Sequence, residues 1–213
     1  MQPDPLSPEE TLDPSDWSDL KRLGHRMVDE MIDYLASVRE RPVWRTVPPE
    51  VRQRLNAPLP EAPQGLAAAY ADFVENVLPY PTGNIHPRFW GWVKGTGSAE
   101  GMLAEMLAAG MNCNVSGFDD AATLVEQQVL SWCKQMLGFS GTASGVLLSG
   151  GSMANLVGLA VARQTLTGLD VRTEGLTAAR QQPVLYASSE THLSVVKAVE
   201  LLGLGRSALR LIG

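Results

Sequence analysis

The spacing of apolar positions changes character near residue 80. Leu20, Met27, Met31, Leu35 and Val38, with Val28 and Tyr34 beside them, recur on one helix face and stop before Pro42. That spacing predicts an amphipathic helix of about five or six turns at roughly 3.6 residues per turn. Its start is expected at Asp13-Pro14-Ser15-Asp16, which offers an N-cap, a proline at the first helical position and acidic side chains for the positive helix end. Residues 42–64 carry six prolines and are expected to run extended over a surface. Leu66, Tyr70, Phe73, Val74 and Val77 form a second apolar stripe that ends at Pro79. Two such helices joined by a proline-rich connection rarely fold alone, so their apolar faces call for a partner body or subunit.

Beyond Gly83 the grain is different. Met102, Leu103, Met106 and Leu107 mark a short helix, and the run from Leu124 to Leu137 a longer one closed by Gly138. An alternation follows: strand from Gly145 to Ser149, helix from Ser152 to about Thr165, strand from Val184 to Ser188, helix from His192 to Leu202, strand from Ala208 to Ile212. Strand and helix in strict turn predict an α/β fold with a mainly parallel sheet and helical crossovers. Such a sheet is expected to continue beyond Gly213.

Composition supports the same division. Ten of the 14 prolines lie in the first 63 residues and 18 of the 20 glycines lie from Gly83 onward. We therefore expect an α-helical amino-terminal arm over residues 1–80 and an incomplete α/β domain over residues 81–213. With 213 residues and 45% apolar side chains the chain can fill a core. A formal net charge of -6 argues against a surface for nucleic-acid phosphates. The acidic, proline-punctuated amino terminus has neither the basic nor the apolar region of a signal peptide, and no apolar run is long enough to cross a bilayer. No membrane or nucleic-acid partner is expected. Cys113 and Cys133 fit neither a zinc pattern nor a disulfide scaffold, which points to a reducing, cytoplasmic setting.

Candidate chemistry gathers at two predicted strand ends. In Ser149-Gly150-Gly151-Ser152-Met153-Ala154-Asn155, two glycines and a serine stand where a strand hands over to a helix. Unpaired N–H groups and the positive helix end make that turn an anion cup, with the Ser152 hydroxyl as an added donor. The alternative is a plain tight turn with Ser152 as N-cap. No Gly-Lys-Ser/Thr and no Gly-x-Gly-x-x-Gly follows, which removes ATP and NAD loops of the usual kinds. Gly150-Gly151-Ser152-Met153-Ala154 differs by one methyl group from a nucleophile elbow. A serine hydrolase with Ser152 as nucleophile is therefore a second reading, although no convincing acid lies between Ser152 and His192. Ser188-Ser189-Glu190-Thr191-His192 places His192 at the carboxyl edge of the sheet, where ligands of open parallel sheets bind. An imidazole there can stack on a flat ring, transfer a proton, or simply begin a helix. Together the cup and the imidazole suit a flat, phosphorylated ligand.

These residues carry a resemblance. His86-Pro87-Arg88-Phe89, the run from Met102 to Leu107, Thr123 through Glu126 leading to Trp132 and Met136-Leu137-Gly138, Ser149 to Leu156, and Ser188 to Ala198 follow in the order seen in the group II pyridoxal-phosphate-dependent amino-acid decarboxylases, the aromatic amino-acid and glutamate decarboxylases among them. Residues 86–212 resemble the amino-terminal half of that family, and the two leading helices are similar to its amino-terminal arm. The resemblance implies the large domain of the pyridoxal-phosphate fold type I, a sheet with helices on both faces. It also implies pyridoxal 5'-phosphate as cofactor, an L-amino acid as substrate and a homodimer across which the arm packs. Gly150, Gly151 and Ser152 would bind the cofactor phosphate. His192, the one catalytic candidate, would stack on the ring and fix its tilt. Asn155 would be a supporting polar residue, and His86 would either order the active-site wall or fix the Pro87 turn.

One departure bears on activity. The family anchors its cofactor through a lysine directly after a histidine and holds the pyridine nitrogen with an upstream aspartate. Lys21, Lys94, Lys134 and Lys197 are the only lysines, and none follows a histidine. Both anchors are therefore expected beyond Gly213, and residues 1–213 look like about half of an enzyme, inactive alone. A half-protein that only folds or dimerises is a further alternative. The segment from Phe89 to Thr96, with Trp90, Trp92 and Lys94, could face an aromatic or an acidic side chain, and the two indoles favour the aromatic one. Trp90 and Trp92 alternate, so on a strand both could face one side and be ordinary core. Decarboxylation to an amine and oxidative deamination to an aldehyde both remain open.

Overall fold

A computed structural model describes residues 13–115, 119–166, 168, 170–176 and 182–213. The chain forms two compact units, residues 1–113 and 114–213.

The first unit is helical. Helix α1, Trp17–Ala36, presents the predicted apolar stripe. Its N-cap is Asp16, three residues later than Asp13: the Asp16 carboxylate accepts the N–H of Ser18 at 2.7 Å and that of Asp19 at 3.4 Å. Pro14 consequently lies outside the helix. Residues 42–64 are not extended throughout, because Pro49–Leu55 forms helix α2. Prolines here start a helix instead of preventing one, since Pro49 sits at a position whose N–H would be unpaired anyway, with Glu50 in the first turn and Arg52 and Arg54 in the last. Helix α3, Leu66–Asn76, carries the second stripe. Helix α4, Ala99–Met111, is longer than its four methionine and leucine markers suggest, and the Ser98 hydroxyl caps it by accepting the Gly101 N–H at 3.0 Å.

Polar clamps join these helices. The Tyr70 hydroxyl on α3 donates to Glu30 Oε2 on α1 at 2.6 Å, while Arg26 Nε donates to Glu30 Oε1 at 2.7 Å. Both bonds favour the carboxylate, so Glu30 is held below the ordinary glutamate range and the Tyr70 phenol is pushed up. Arg54 on α2 pairs with Glu75 and donates to Asn76 Oδ1 at 3.2 Å; Asn76, almost fully buried, donates in turn to Asp72 at 2.7 Å. Met27, Met31, Tyr70, Phe73, Met102 and Met106 line an apolar groove between α1, α3 and α4. No helix among the described residues is long and apolar enough to cross a membrane.

The second unit opens with helix α5, Ala121–Met136, capped by Asp120, whose carboxylate accepts both the N–H and the hydroxyl of Thr123 and is held below its ordinary range by them. Helix α6 is Gly151–Leu166 and α7 Val171–Glu174. The α7 turn, capped by Asp170, has no apolar periodicity to announce it. Strand β1, Leu185–Ser188, helix α8, Leu193–Leu201, and strand β2, Leu209–Ile212, form a β–α–β unit. The two strands run parallel in a register from Leu185↔Leu209 to Ser188↔Ile212. Val199, fully buried on α8, joins Leu202, Leu204 and Ala208 in the core, and α6 packs Leu156, Leu159 and Ala160 against it.

One expected strand is not formed. Residues 145–149 adopt no regular element, and the sheet among the described residues has two strands. A strand exists only by pairing its backbone with a neighbour. Here Val146 and Leu147 are each 53% exposed, so the apolar run lies along a face with no ladder to join.

Candidate functional site

Gly150 makes the turn into α6. Its φ of 88° lies where a side chain is strained. Its N–H donates to the Leu148 carbonyl at 2.9 Å, and its own carbonyl accepts the Ala154 N–H at 3.2 Å, starting the helix one residue on. The first N–H groups of α6 have no carbonyl behind them. Nothing lies within 4 Å of where a Cβ on Gly150 or Gly151 would stand, and Gly150, Gly151 and Ser152 are exposed. The Ser152 hydroxyl has no hydrogen-bond partner among the described residues. Free donors, an open backbone and a positive helix end fit a phosphate; no acidic side chain stands in the turn from Ser149 to Asn155.

His192 is the N-cap of α8, immediately beyond the carboxyl end of β1. The chain reaches it through a turn in which the Ser189 N–H donates to Ile212 O at 2.8 Å, continuing the ladder, and the Thr191 N–H donates to Ser188 O at 3.0 Å. Histidine is an unusual cap. It serves because Nδ1 accepts the Ser194 N–H at 3.1 Å. The Ser194 hydroxyl also stands 2.8 Å from Nδ1. Asn155, on the second turn of α6, completes the chain by donating from Nδ2 to Ser194 Oγ at 2.8 Å. The helix that begins at the glycine turn is thus hydrogen-bonded, through one buried serine, to the imidazole. Asn155 is bonded within the protein, to Ser194. Ser194 was not singled out by sequence; its only signal is a hydroxyl two residues after a candidate histidine.

The hydrolase geometry is not formed. A nucleophile elbow needs its serine bonded to the histidine base, whereas His192 Nδ1 is engaged by Ser194 and the Ser152 hydroxyl bonds to no described residue.

In the first unit, His86 is buried and fixes a turn. Its Nδ1 accepts the Arg88 N–H at 3.0 Å, its main-chain N–H donates to Gly83 O at 2.9 Å, and its main-chain carbonyl accepts the Phe89 N–H at 2.9 Å. Of its two readings, fixing the Pro87 turn is the one these bonds describe. Trp90 and Trp92 are 92% and 81% exposed and no strand runs through them, so they are not core of this unit. Lys94 Nζ lies 5.0 Å from the Trp92 ring centroid, and Asn84 Nδ2 closes the loop on Gly95 O at 2.9 Å. Lys134 donates to Ala143 O at 2.8 Å, a loop-holding role.

Comparison with known proteins extends this picture. The family model for the pyridoxal-dependent decarboxylase conserved domain matches residues 48–213. An aromatic-L-amino-acid decarboxylase of Bacillus atrophaeus is 32% identical over 188 residues, covering 87% of this chain and 37% of that protein. The crystal structure of Catharanthus roseus tryptophan decarboxylase in complex with L-tryptophan superposes with a TM-score of 0.80 at 27% identity, covering 95% of this chain and 43% of the other. That of Oryza sativa TDC with PLP gives 0.77 at 27% identity, covering 95% and 45%. The chain spans less than half the length of these relatives.

Proposed function

Because the chain belongs to the pyridoxal-dependent decarboxylase family, we propose that residues 1–213 carry the phosphate and ring contacts of an enzyme that decarboxylates an L-amino acid to its amine and carbon dioxide. Gly151, through the free N–H groups at the head of α6, and Ser152, through its hydroxyl, would hold the cofactor phosphate, while Gly150, whose own N–H is bonded to the Leu148 carbonyl, would shape the turn that receives it. His192 would lie against the pyridine ring. Pyridoxal 5'-phosphate, when bound, supplies the electron sink that decarboxylation requires. The chain's own residues would position it: the turn would hold the phosphate end and the imidazole would stand against the ring, so that the reacting bond is kept oriented.

The observation that carries this reading is the bonded path Asn155–Ser194–His192, which ties the helix that starts at the anion cup to the imidazole. Neither a plain turn nor an ordinary helix start needs it.

The finer features belong to the same proposal. The substrate is aromatic rather than acidic, supported by the exposed Trp90 and Trp92 and by the activities for which the relatives are named. The cofactor-anchoring lysine lies outside residues 1–213, since no lysine here follows a histidine. The enzyme is a cytoplasmic homodimer, with the exposed apolar faces of the first unit as its contact.

The test uses the full-length protein. Added pyridoxal 5'-phosphate is expected to give a visible absorbance band, and L-tryptophan or L-tyrosine to release carbon dioxide faster than L-glutamate, with amine as the product. Labelling of Ser152 by a fluorophosphonate without any such band would establish the hydrolase instead. Carbon dioxide accompanied by an aldehyde would assign oxidative deamination.

A further inference from the structure

The protonation state of His192 can be read from its neighbours. A backbone N–H only donates, so the Ser194 N–H at 3.1 Å requires a lone pair on Nδ1. The remaining directions follow. With Nδ1 an acceptor, the Ser194 hydroxyl at 2.8 Å must point its hydrogen at the ring. Its oxygen is then free to accept, and the Asn155 amide supplies an N–H at 2.8 Å. Ser194 is 5% exposed, so water does not compete freely for that hydroxyl. Nδ1 takes the Ser194 N–H and hydroxyl together on its one lone pair, each donor in the path points in one sense only, and the ring proton is left on Nε2.

We propose that Ser194, oriented by Asn155, is the positioning residue that holds His192 as the Nε2–H tautomer, so that the imidazole meets its ligand as a hydrogen-bond donor and not as a base. This rests on the proposed place of His192 at the cofactor. A neutral ring in this state already carries its proton on the free nitrogen. To accept another it must protonate Nδ1, which breaks the bonds from both the hydroxyl and the cap N–H. His192 accordingly steadies an electron-rich ligand atom and leaves substrate proton transfer to other groups.

The experiment is long-range proton–nitrogen correlation NMR on full-length protein labelled at histidine, with His192→Gln used to assign the His192 signal among those of the protein's histidines. The wild-type ring is expected to show a protonated Nε2 and a bare Nδ1; a protonated Nδ1 overturns the proposal with no substitution needed. Asn155→Asp is the directed probe. A carboxylate only accepts, so it turns the Ser194 hydroxyl around and presents an oxygen lone pair to Nδ1. The tautomer ratio should move toward Nδ1–H by roughly fivefold to tenfold, the worth of about one hydrogen bond. Ser194→Thr, which keeps the hydroxyl, should retain the wild-type ratio. A folded Asn155→Asp protein with an unchanged ratio sinks the proposal. Titration with pyridoxine 5'-phosphate, which has the ring and the phosphate but no aldehyde, separates the two levels. Binding with the wrong tautomer removes this inference alone, whereas no binding removes the reading beneath it.

Discussion

Asn155 Nδ2 donates to Ser194 Oγ across 2.8 Å, although 39 positions separate the two residues in sequence. The bond lies where α6 packs on α8, beside the apolar contact that Leu156 and Leu159 make with the Val199 core. Apolar packing brings the helices together, and the amide fixes their register. Asn155→Leu keeps the volume and removes the donor. We expect a loss of about 1–2 kcal/mol, read as a melting temperature several degrees lower. An unchanged melting temperature would mean that the helices hold register by packing alone.

Gly83 identifies a second constraint, in the first unit. Its φ is 89°, and a Cβ there would fall 2.1 Å from the Val43 carbonyl oxygen. Backbone rather than a flexible side chain occupies that space, so Gly83→Ala must displace the strand of chain around Val43 and the turn that His86 closes. It should cost more than the roughly 1 kcal/mol of ordinary left-handed strain. Gly24→Ala, inside α1 with nothing within 4 Å of the added carbon, is the control, and helix propensity predicts slight stabilisation there. Thermal denaturation of the pair should show opposite signs.

The Glu30–Tyr70 clamp predicts a pH dependence with a defined sign. Glu30 is depressed by the Tyr70 hydroxyl first and by Arg26 second. Its contribution is present above the unfolded glutamate range and is lost as pH falls through the folded value. Tyr70 is raised by its bond to Glu30. Its contribution is present below the unfolded tyrosine range and is lost as pH rises through the folded value. Melting temperature against pH should therefore fall at both the acid and the strongly alkaline ends, and Glu30→Gln should flatten both limbs relative to wild type. Parallel curves for the two proteins would remove the clamp from the account.

What the sequence discloses is what neighbouring residues decide. The stripe from Leu20 to Val38, the alternation from Val184 to Ile212 and the glycine turn at 150–151 are local patterns, and each corresponds to an element or turn in the structure. Helix α2 is local too: Pro48-Pro49-Glu50 is a helix start, hidden by the extended conformation that six prolines in residues 42–64 suggest. The run from Gly145 to Ser149 shows the opposite limit, because strand formation depends on a partner that its own residues do not specify. Ser194 shows it again: its importance lies in a bond to α6, and no spacing rule connects positions 155 and 194.

Ser152 and Gly150 separate binding from folding. The Ser152 hydroxyl has no described partner, so Ser152→Ala should leave the melting temperature within about 0.5 kcal/mol of wild type in stability. If it is a phosphate ligand, the same change removes one charge-assisted hydrogen bond, worth about 1.5–3 kcal/mol, and the dissociation constant for pyridoxine 5'-phosphate should rise by at least tenfold. Gly150→Ala differs in kind. At φ 88° an alanine is strained before any ligand arrives, so both stability and affinity should fall. Fluorescence titration beside thermal denaturation distinguishes the two patterns. A Ser152→Ala protein that binds pyridoxine 5'-phosphate as tightly as wild type would take the hydroxyl out of the anion cup and leave the main-chain N–H groups to hold the phosphate alone.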